Sequence, residues 1–173
     1  MKAGPIRSNG MRKPLSAALI VALVVGLSVG PAEAGSRAAR AAGRDAIHRL
    51  QTAPLPPRTH AVTQLPASLQ LNGAPFVPDT PNLVDEHSLF VTALRPSKTF
   101  AWFKSHPPPK AGSQRLTSTG AKPSSRVLGF RWGDSRLVEE RALYVTLVGR
   151  PGGGAAIRID SQATWGDAGT TAG

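Results

Sequence analysis

The chain has 173 residues, enough for one domain, and its 21 Lys and Arg against 10 Asp and Glu give a net charge of +11. It contains no cysteine, which excludes disulfide frameworks, thiolate zinc sites, cysteine nucleophiles and thioether-linked lipid anchors. Its 18 glycines and 16 prolines make up about a fifth of the residues, a share that predicts a folded but loop-rich protein.

Residues 1–34 have the pattern of a signal peptide. Four basic residues precede an uncharged stretch at residues 15–30, Pro31 ends any helix there, and Ala32-Glu33-Ala34 offers small residues to a signal peptidase. The alternative is an uncleaved membrane anchor, although the apolar stretch is shorter than the ~20 residues that span a bilayer. Removal of this segment leaves a net charge of +8. We therefore predict a secreted or envelope-located bacterial protein, or one tethered to the membrane by that anchor.

Two segments precede the predicted domain. Residues 35–52 form either a weak basic amphipathic helix or a disordered leader, and the leader is favoured because the apolar side is mostly alanine. If the segment is drawn as a helical wheel, Arg37, Arg40, Arg44 and His48 lie together on one side. Residues 53–81 contain seven prolines and read as a linker or wrapping loop, which scattered hydrophobic residues including Leu69 and Leu71 could hold on the domain.

Residues 82–165 predict an α+β domain. Strand patterns lie at residues 87–94, 127–132, 140–149 and 155–165, and the last alternates most cleanly, with apolar residues inward and Arg158, Asp160, Gln162 and Thr164 outward. The pattern of residues 97–106 predicts a short helix with one aromatic side. Ser97 is its predicted N-cap, and the three prolines at residues 107–109 end it. Residues 110–125 read as a polar loop.

The predicted fold class is a small antiparallel sheet of about four strands with one short amphipathic helix packed on one face. The glycines of residues 150–154 tolerate the positive φ of a tight connection, so they join the last two strands as a hairpin. Residues 166–173 form a polar tail.

Positive charge is the strongest functional signal. Basic residues gather on the polar side of the predicted helix and on the loop after it, where they would attract polyanions. The predicted ligand-binding residues are Lys98, Lys104, Lys110, Arg115, Lys122 and Arg126. An ordinary solvated surface is the simpler interpretation of the same charges.

The densest group of proton-handling residues is Asp85, Glu86 and His87, which His106 could approach across a strand-to-helix corner. Because adjacent strand residues point to opposite faces, only Asp85 and His87 share a side. No HExxH or GxSxG motif occurs, and the glycines before Ala155 lack the Lys-Ser/Thr of a phosphate-binding loop. A histidine at a helix C-terminus more often interacts with the helix carbonyls.

Several short motifs carry a resemblance. They are TPNLVD at residues 80–85, AWF at 101–103 followed by HPP at 106–108, PGG at 151–153, and IRIDSQ at 157–162 ending in Trp165. In these the chain resembles a group of exported actinobacterial proteins to which no activity is assigned. The resemblance covers about half of the chain and implies export, but no reaction.

We therefore expect a non-catalytic exported module that binds an anionic cell-wall polymer, a membrane surface or an envelope protein through its basic face. No catalytic, metal or cofactor site is predicted. One alternative is a small secreted hydrolase that uses Asp85, His87 and His106. The other is nucleic-acid binding, which is less favoured because the aromatic residues are used by the amphipathic patterns.

Overall fold

The computed structural model describes residues 37–69, 71, 77, 80–119 and 125–166, with the backbone alone for residues 113–119. The predicted signal peptide, residues 1–34, lies outside the described residues. The elements in chain order are α1 (Arg37–Thr52), β1 (Thr59–Val62), β2 (Leu83–Thr92), α2 (Pro96–Ser105), β3 (Ser113–Thr119), β4 (Ser125–Trp132), β5 (Glu139–Gly149) and β6 (Ala155–Thr164), with a 3₁₀ turn at Ala67–Leu69.

The six strands form one antiparallel sheet in the order β1-β2-β6-β5-β4-β3. The last strand is therefore inserted between β2 and β5. The β5–β6 connection is the predicted hairpin, and Gly152, Gly153 and Gly154 all have positive φ. Every residue of β6 is buried, so both faces of the sheet are covered at this strand.

Both helices pack on the same face of the sheet, which we call the helical face. Leu50 of α1 and Phe103 of α2 belong to one apolar core with side chains from four strands. The largest buried strand side chains in that core are Phe90, Leu128, Phe130, Leu143, Leu147, Ile157 and Ile159. Helix α1 lies over β2 and β6, whereas α2 lies over β4 and β5.

Helix α1 packs on the sheet, whereas the sequence favoured a disordered leader for residues 35–52. Ala38, Ala42 and Ala46 are buried against Ala163 and Trp165, and such small side chains allow the helix backbone to approach the sheet closely. The predicted exposed side is confirmed, since Arg37, Arg40, Arg44 and His48 all face solvent.

Helix α2 has the predicted aromatic side but a different N-terminus. Arg95 is the N-cap residue and Pro96 occupies the first turn, so the predicted cap at Ser97 is wrong. Proline fits the first turn because its missing N–H would have no helical partner there. His106 is the C-cap residue, and its Nδ1 lies 2.9 Å from the carbonyl oxygen of Trp102, as expected for a histidine at a helix C-terminus.

The opposite face of the sheet, which we call the second face, is partly covered by the proline-rich segment. Leu69 and Leu71 from this segment pack on Val148 and Ala156. We call residues 63–69 together with Leu71 the strap. Phe76 lies outside the described residues, and Val77 is exposed.

The α+β class, with a small antiparallel sheet and an amphipathic helix packed on one face, is confirmed. The described residues contain six strands instead of about four, because β1 lies inside the proline-rich segment and β3 inside the predicted polar loop. The alternation of β6 is also confirmed, but its polar side is not exposed. Arg158, Asp160, Gln162 and Thr164 are buried on the second face.

Candidate functional site

The predicted basic face is present on α2 and its surroundings. Lys98, Lys104 and Lys110 are exposed, and the Arg126 guanidinium carbon lies 5.3 Å from the centre of the Phe100 ring. That cation–π contact holds the N-terminal end of β4 against α2. Four of the six predicted binding residues are thus exposed on or beside α2. Arg115 belongs to β3, whose side chains are not described, and Lys122 lies outside the described residues.

The two helices present their charges in the same direction. Because α1 and α2 cover the same face of the sheet, their exposed sides both point away from it, so the basic side of α1 adds to that of α2. We call this surface the cationic helical layer. Its exposed basic residues are Arg37, Arg40, Arg44, Arg95, Lys98, Lys104, Lys110 and Arg126.

Negative charge is almost absent from this layer. Asp45 is the one acidic residue in the two helices, and two arginines hold it. Arg141 donates from Nη2 and Nε to its two oxygens at 2.6 and 3.0 Å, and Arg49 pairs with the same carboxylate. Burial raises the pKa of Asp45, but the hydrogen bonds and charges of the two arginines outweigh it, so the net shift is downward.

Arg49 fixes the orientation of α1, and sequence analysis did not single it out. Its side chain lies on the buried side of the helix, where Nη2 donates to the Gln162 carbonyl oxygen at 2.8 Å. The guanidinium carbon also lies 5.4 Å from the centre of the Trp132 ring. Burial lowers the pKa of Arg49 to about 10, so the side chain is still charged at neutral pH. Its signal in the sequence was its position seven residues after Ala42, on the apolar side of the helix.

The predicted hydrolase corner does not assemble. Asp85 and His87 share the second face, as expected, because they pair with Gln162 and Asp160 across the ladder. His106 belongs to α2 on the helical face, where its ring stacks on Trp102 at 4.3 Å between centroids. The sheet therefore separates His106 from the other two residues.

A polar cluster occupies the second face instead. Its centre is an ion pair in which Arg158 Nε donates to Asp160 Oδ1 at 2.7 Å, with Asp160 fully buried. The ladder places His87 beside Asp160, and Thr146 beside Arg158. We call these residues the second-face cluster: Asp85, His87, Thr146, Arg158, Asp160 and Gln162.

Burial dominates the electrostatics of this cluster. It raises the pKa of Asp160 to about 6, against the opposing charge and hydrogen bond of Arg158. It also raises the pKa of Asp85, with Arg158 and Gln162 opposing, and lowers that of His87. Sequence analysis missed the cluster because it took the polar side of β6 as solvent-exposed. The sequence signal was the pair of opposite charges two residues apart, at Arg158 and Asp160, which places both on one face of a strand.

The described residues contain neither a cluster suited to a metal ion nor a helix suited to crossing a bilayer. No group of three or more His, Asp or Glu side chains there has an arrangement that could hold a metal ion. In the same part of the chain, no helix combines the length and apolar character needed to cross a bilayer.

Comparison of the chain with protein-family models, with curated proteins and with solved structures gives no match. The resemblance to exported actinobacterial proteins therefore stays a prediction from the motifs.

Proposed function

We propose that the protein is a non-catalytic binding module that works outside the cytoplasm and holds an anionic polymer of the cell envelope on its cationic helical layer. The observation that carries this proposal is the packing of both helices on one face of the sheet, which adds their basic sides into one surface. The sequence alone predicted a basic side for each helix but did not show that the two sides form one surface. Export rests on the leader pattern of residues 1–34.

The positions of the exposed acidic side chains favour a polyanion over a protein partner of mixed charge. The acidic side chains that are exposed in the described residues are Asp134, Glu139 and Glu140, at the β4–β5 connection, and none lies on a helix. A surface with one sign of charge attracts polyanions over a distance of about one Debye length, roughly 10 Å at 0.1 M salt. A flexible polymer with regular phosphates would contact several of these side chains at once.

The test measures binding of the full-length protein to sodium polyphosphate over a range of salt concentrations. In one triple variant Arg44, Lys98 and Lys104 become glutamine. In a matched control Arg58, Arg131 and Arg136, which are exposed outside the helical layer, become glutamine and remove the same charge. We expect the first variant to bind about tenfold more weakly and the control to change by less than about threefold.

Vesicles and duplex DNA serve as competing partners in the same assay. An equal loss of polyphosphate affinity in both triple variants would show that net charge alone drives binding. An affinity that does not change with salt concentration would exclude an electrostatic basis for binding. Stronger binding to phosphatidylglycerol vesicles or to DNA than to polyphosphate would reassign the layer to that partner.

A further inference from the structure

The chain has four histidines, and the sheet divides them into two pairs. His48 on α1 and His106 at the end of α2 are exposed on the same side of the sheet as the cationic helical layer. His87 lies on the second face, and so does His60, because it pairs with Val91, which follows His87 by four residues on one strand. Histidine is the side chain that ordinarily changes its charge between pH 5 and pH 8, where lysine and arginine stay charged.

His48 continues the row of arginines on α1. It follows Arg44 by four residues, and both side chains are exposed. Residues at this spacing on a helix have Cβ atoms about 5–6 Å apart, so a chain of phosphates that contacts Arg44 lies within reach of the imidazole ring. A protonated ring beside Arg44 is repelled by it, and a phosphate bound between the two side chains removes that repulsion.

His106 is held in one orientation at the end of α2. Its Nδ1 lies 2.9 Å from the carbonyl oxygen of Trp102, and because that oxygen can only accept, Nδ1 is the donor. The ring also stacks on Trp102. Carbonyl oxygens at a helix C-terminus and the face of an indole both attract cations, so neither contact opposes a positive charge on the ring. Nε2 has no hydrogen-bond partner among the described residues, and once protonated it is a donor for a phosphate oxygen.

Few acidic side chains oppose a gain of charge on this surface. Helix α1 packs on β2, β5 and β6, and α2 packs on β4 and β5. In the part of the chain that the structure describes, these strands turn three charged side chains toward the helices, which are Glu86, Arg126 and Arg141. Asp45 is already paired with two arginines, and Asp134 acts on Arg141 from the β4–β5 connection. Glu86 is buried and its Oε2 is unpaired, so it is the acidic group that an experiment has to control.

We propose that the cationic helical layer is a pH-regulated surface, on which protonation of His48 and His106 strengthens the binding of a phosphate-bearing polymer as the pH falls from about 7.5 to about 5.5. This inference rests on the proposed function and adds its regulation. Protonation adds two positive charges on the side where the basic residues of both helices already lie. The histidines of the second face take no part, because the sheet separates them from the polymer.

The experiment measures the affinity of the full-length protein for sodium polyphosphate at pH 7.5 and pH 5.5, with the salt concentration held at 0.1 M. For nucleic acids about 0.7–0.9 counterion is released per phosphate contacted, which at this salt concentration corresponds to roughly five- to eightfold in affinity per contact. We expect wild type to bind about tenfold or more tightly at pH 5.5, and the double variant His48→Gln/His106→Gln to gain less than about threefold. The gain that remains in the double variant measures what all variants share, namely the titration of the polymer and of buried groups such as Asp160.

Three control variants locate the effect. His60→Gln removes an exposed histidine from the second face and should keep the full gain in affinity. Glu86→Gln removes the buried acid under α1 and should keep it as well. His48→Arg/His106→Arg carries a permanent charge at both positions, so it should bind at pH 7.5 about as tightly as wild type binds at pH 5.5. Circular dichroism at both pH values checks that each variant is folded.

Binding and protonation are linked, so a bound polymer must in turn favour the protonated rings. An NMR titration of the imidazole Cε1–H signals, with and without saturating polyphosphate, measures this effect. A tenfold gain in affinity shared by two residues corresponds to an upward movement of about half a pH unit in each titration midpoint. We expect this movement for His48 and His106 and none for His60.

The outcomes separate regulation from binding. An affinity that is equal at both pH values, while the triple variant of the helical layer still binds more weakly, would overturn the regulation alone. A full gain in the double variant, or a gain lost in Glu86→Gln, would assign the pH effect to other groups and would also overturn it. Absence of polyphosphate binding at both pH values would overturn the proposed function, and the regulation with it.

Discussion

Replacement of Arg49 by alanine is expected to lower the free energy of unfolding by about 3 kcal/mol. The side chain is 4% exposed and donates to the Gln162 carbonyl oxygen at 2.8 Å. A hydrogen bond from a charged donor contributes about 1.5–3 kcal/mol, and the cation–π contact with Trp132 adds about 0.5–1 kcal/mol. Asp45 still has Arg141 as a partner, so the larger penalty of an unpaired buried carboxylate does not arise.

Urea unfolding followed by tryptophan fluorescence measures this loss. Trp132 lies under Arg49, and Trp165 packs against the alanines of α1, so both report on the docking of the helix. Arg44→Ala removes an exposed arginine from the same helix and should change stability by less than about 0.5 kcal/mol. Arg49→Lys keeps the charge but not the fork, and should fall between the two.

One result would refute the reasoning about α1. If the helix were a frayed leader that contributes nothing to the core, Arg49→Ala and Arg44→Ala would have the same small effect. The fluorescence of the folded state would also be unchanged. That outcome would remove the α1 half of the cationic helical layer as well, because the layer depends on α1 being held on the sheet.

Three further substitutions test the packing and the buried charges. In Gly154→Ala the new Cβ would overlap the Thr92 carbonyl oxygen at a position of positive φ, so we expect a loss of about 3 kcal/mol in urea unfolding, against about 1 kcal/mol for Gly152→Ala, which has open space around it. Ala42→Leu should cost about 1–3 kcal/mol by overpacking the helix–sheet contact, and an unchanged midpoint would contradict that contact. The pKa of Asp160 is about 6 in the folded protein, above its ordinary value, so its contribution to stability is present at low pH and is lost as the pH rises through about 6. Wild type should therefore gain up to about 3 kcal/mol relative to Asp160→Asn between pH 7 and pH 4, and a constant difference across that range would exclude the buried carboxylate.

The features that the sequence predicted are those decided by local pattern. The aromatic side of α2, the four strands with clear periodicity and the glycine hairpin before Ala155 all follow from side-chain spacing and backbone freedom. The cap at Ser97 failed because Pro96 is itself compatible with the first helical turn.

The missed features depend on contacts between distant parts of the chain. Helix α1 has little apolar surface of its own. Its packing depends on Arg49, which donates to the Gln162 carbonyl oxygen and lies over the Trp132 ring. Both partners are more than 80 residues away in the sequence. Strand β1 pairs at the sheet edge, where neighbouring prolines remove no interior hydrogen bond. No spacing rule contains this information.

The burial of the polar side of β6 is the most consequential of these long-range effects. Alternation correctly separated Ile157 and Ile159 from Arg158 and Asp160, but it could not show that the strap would cover the second side. A strand between two others, covered on both faces, normally carries apolar residues on both, since buried charges cost several kcal/mol unless paired. An ion pair with unpaired neighbours at such a position is therefore costly for stability.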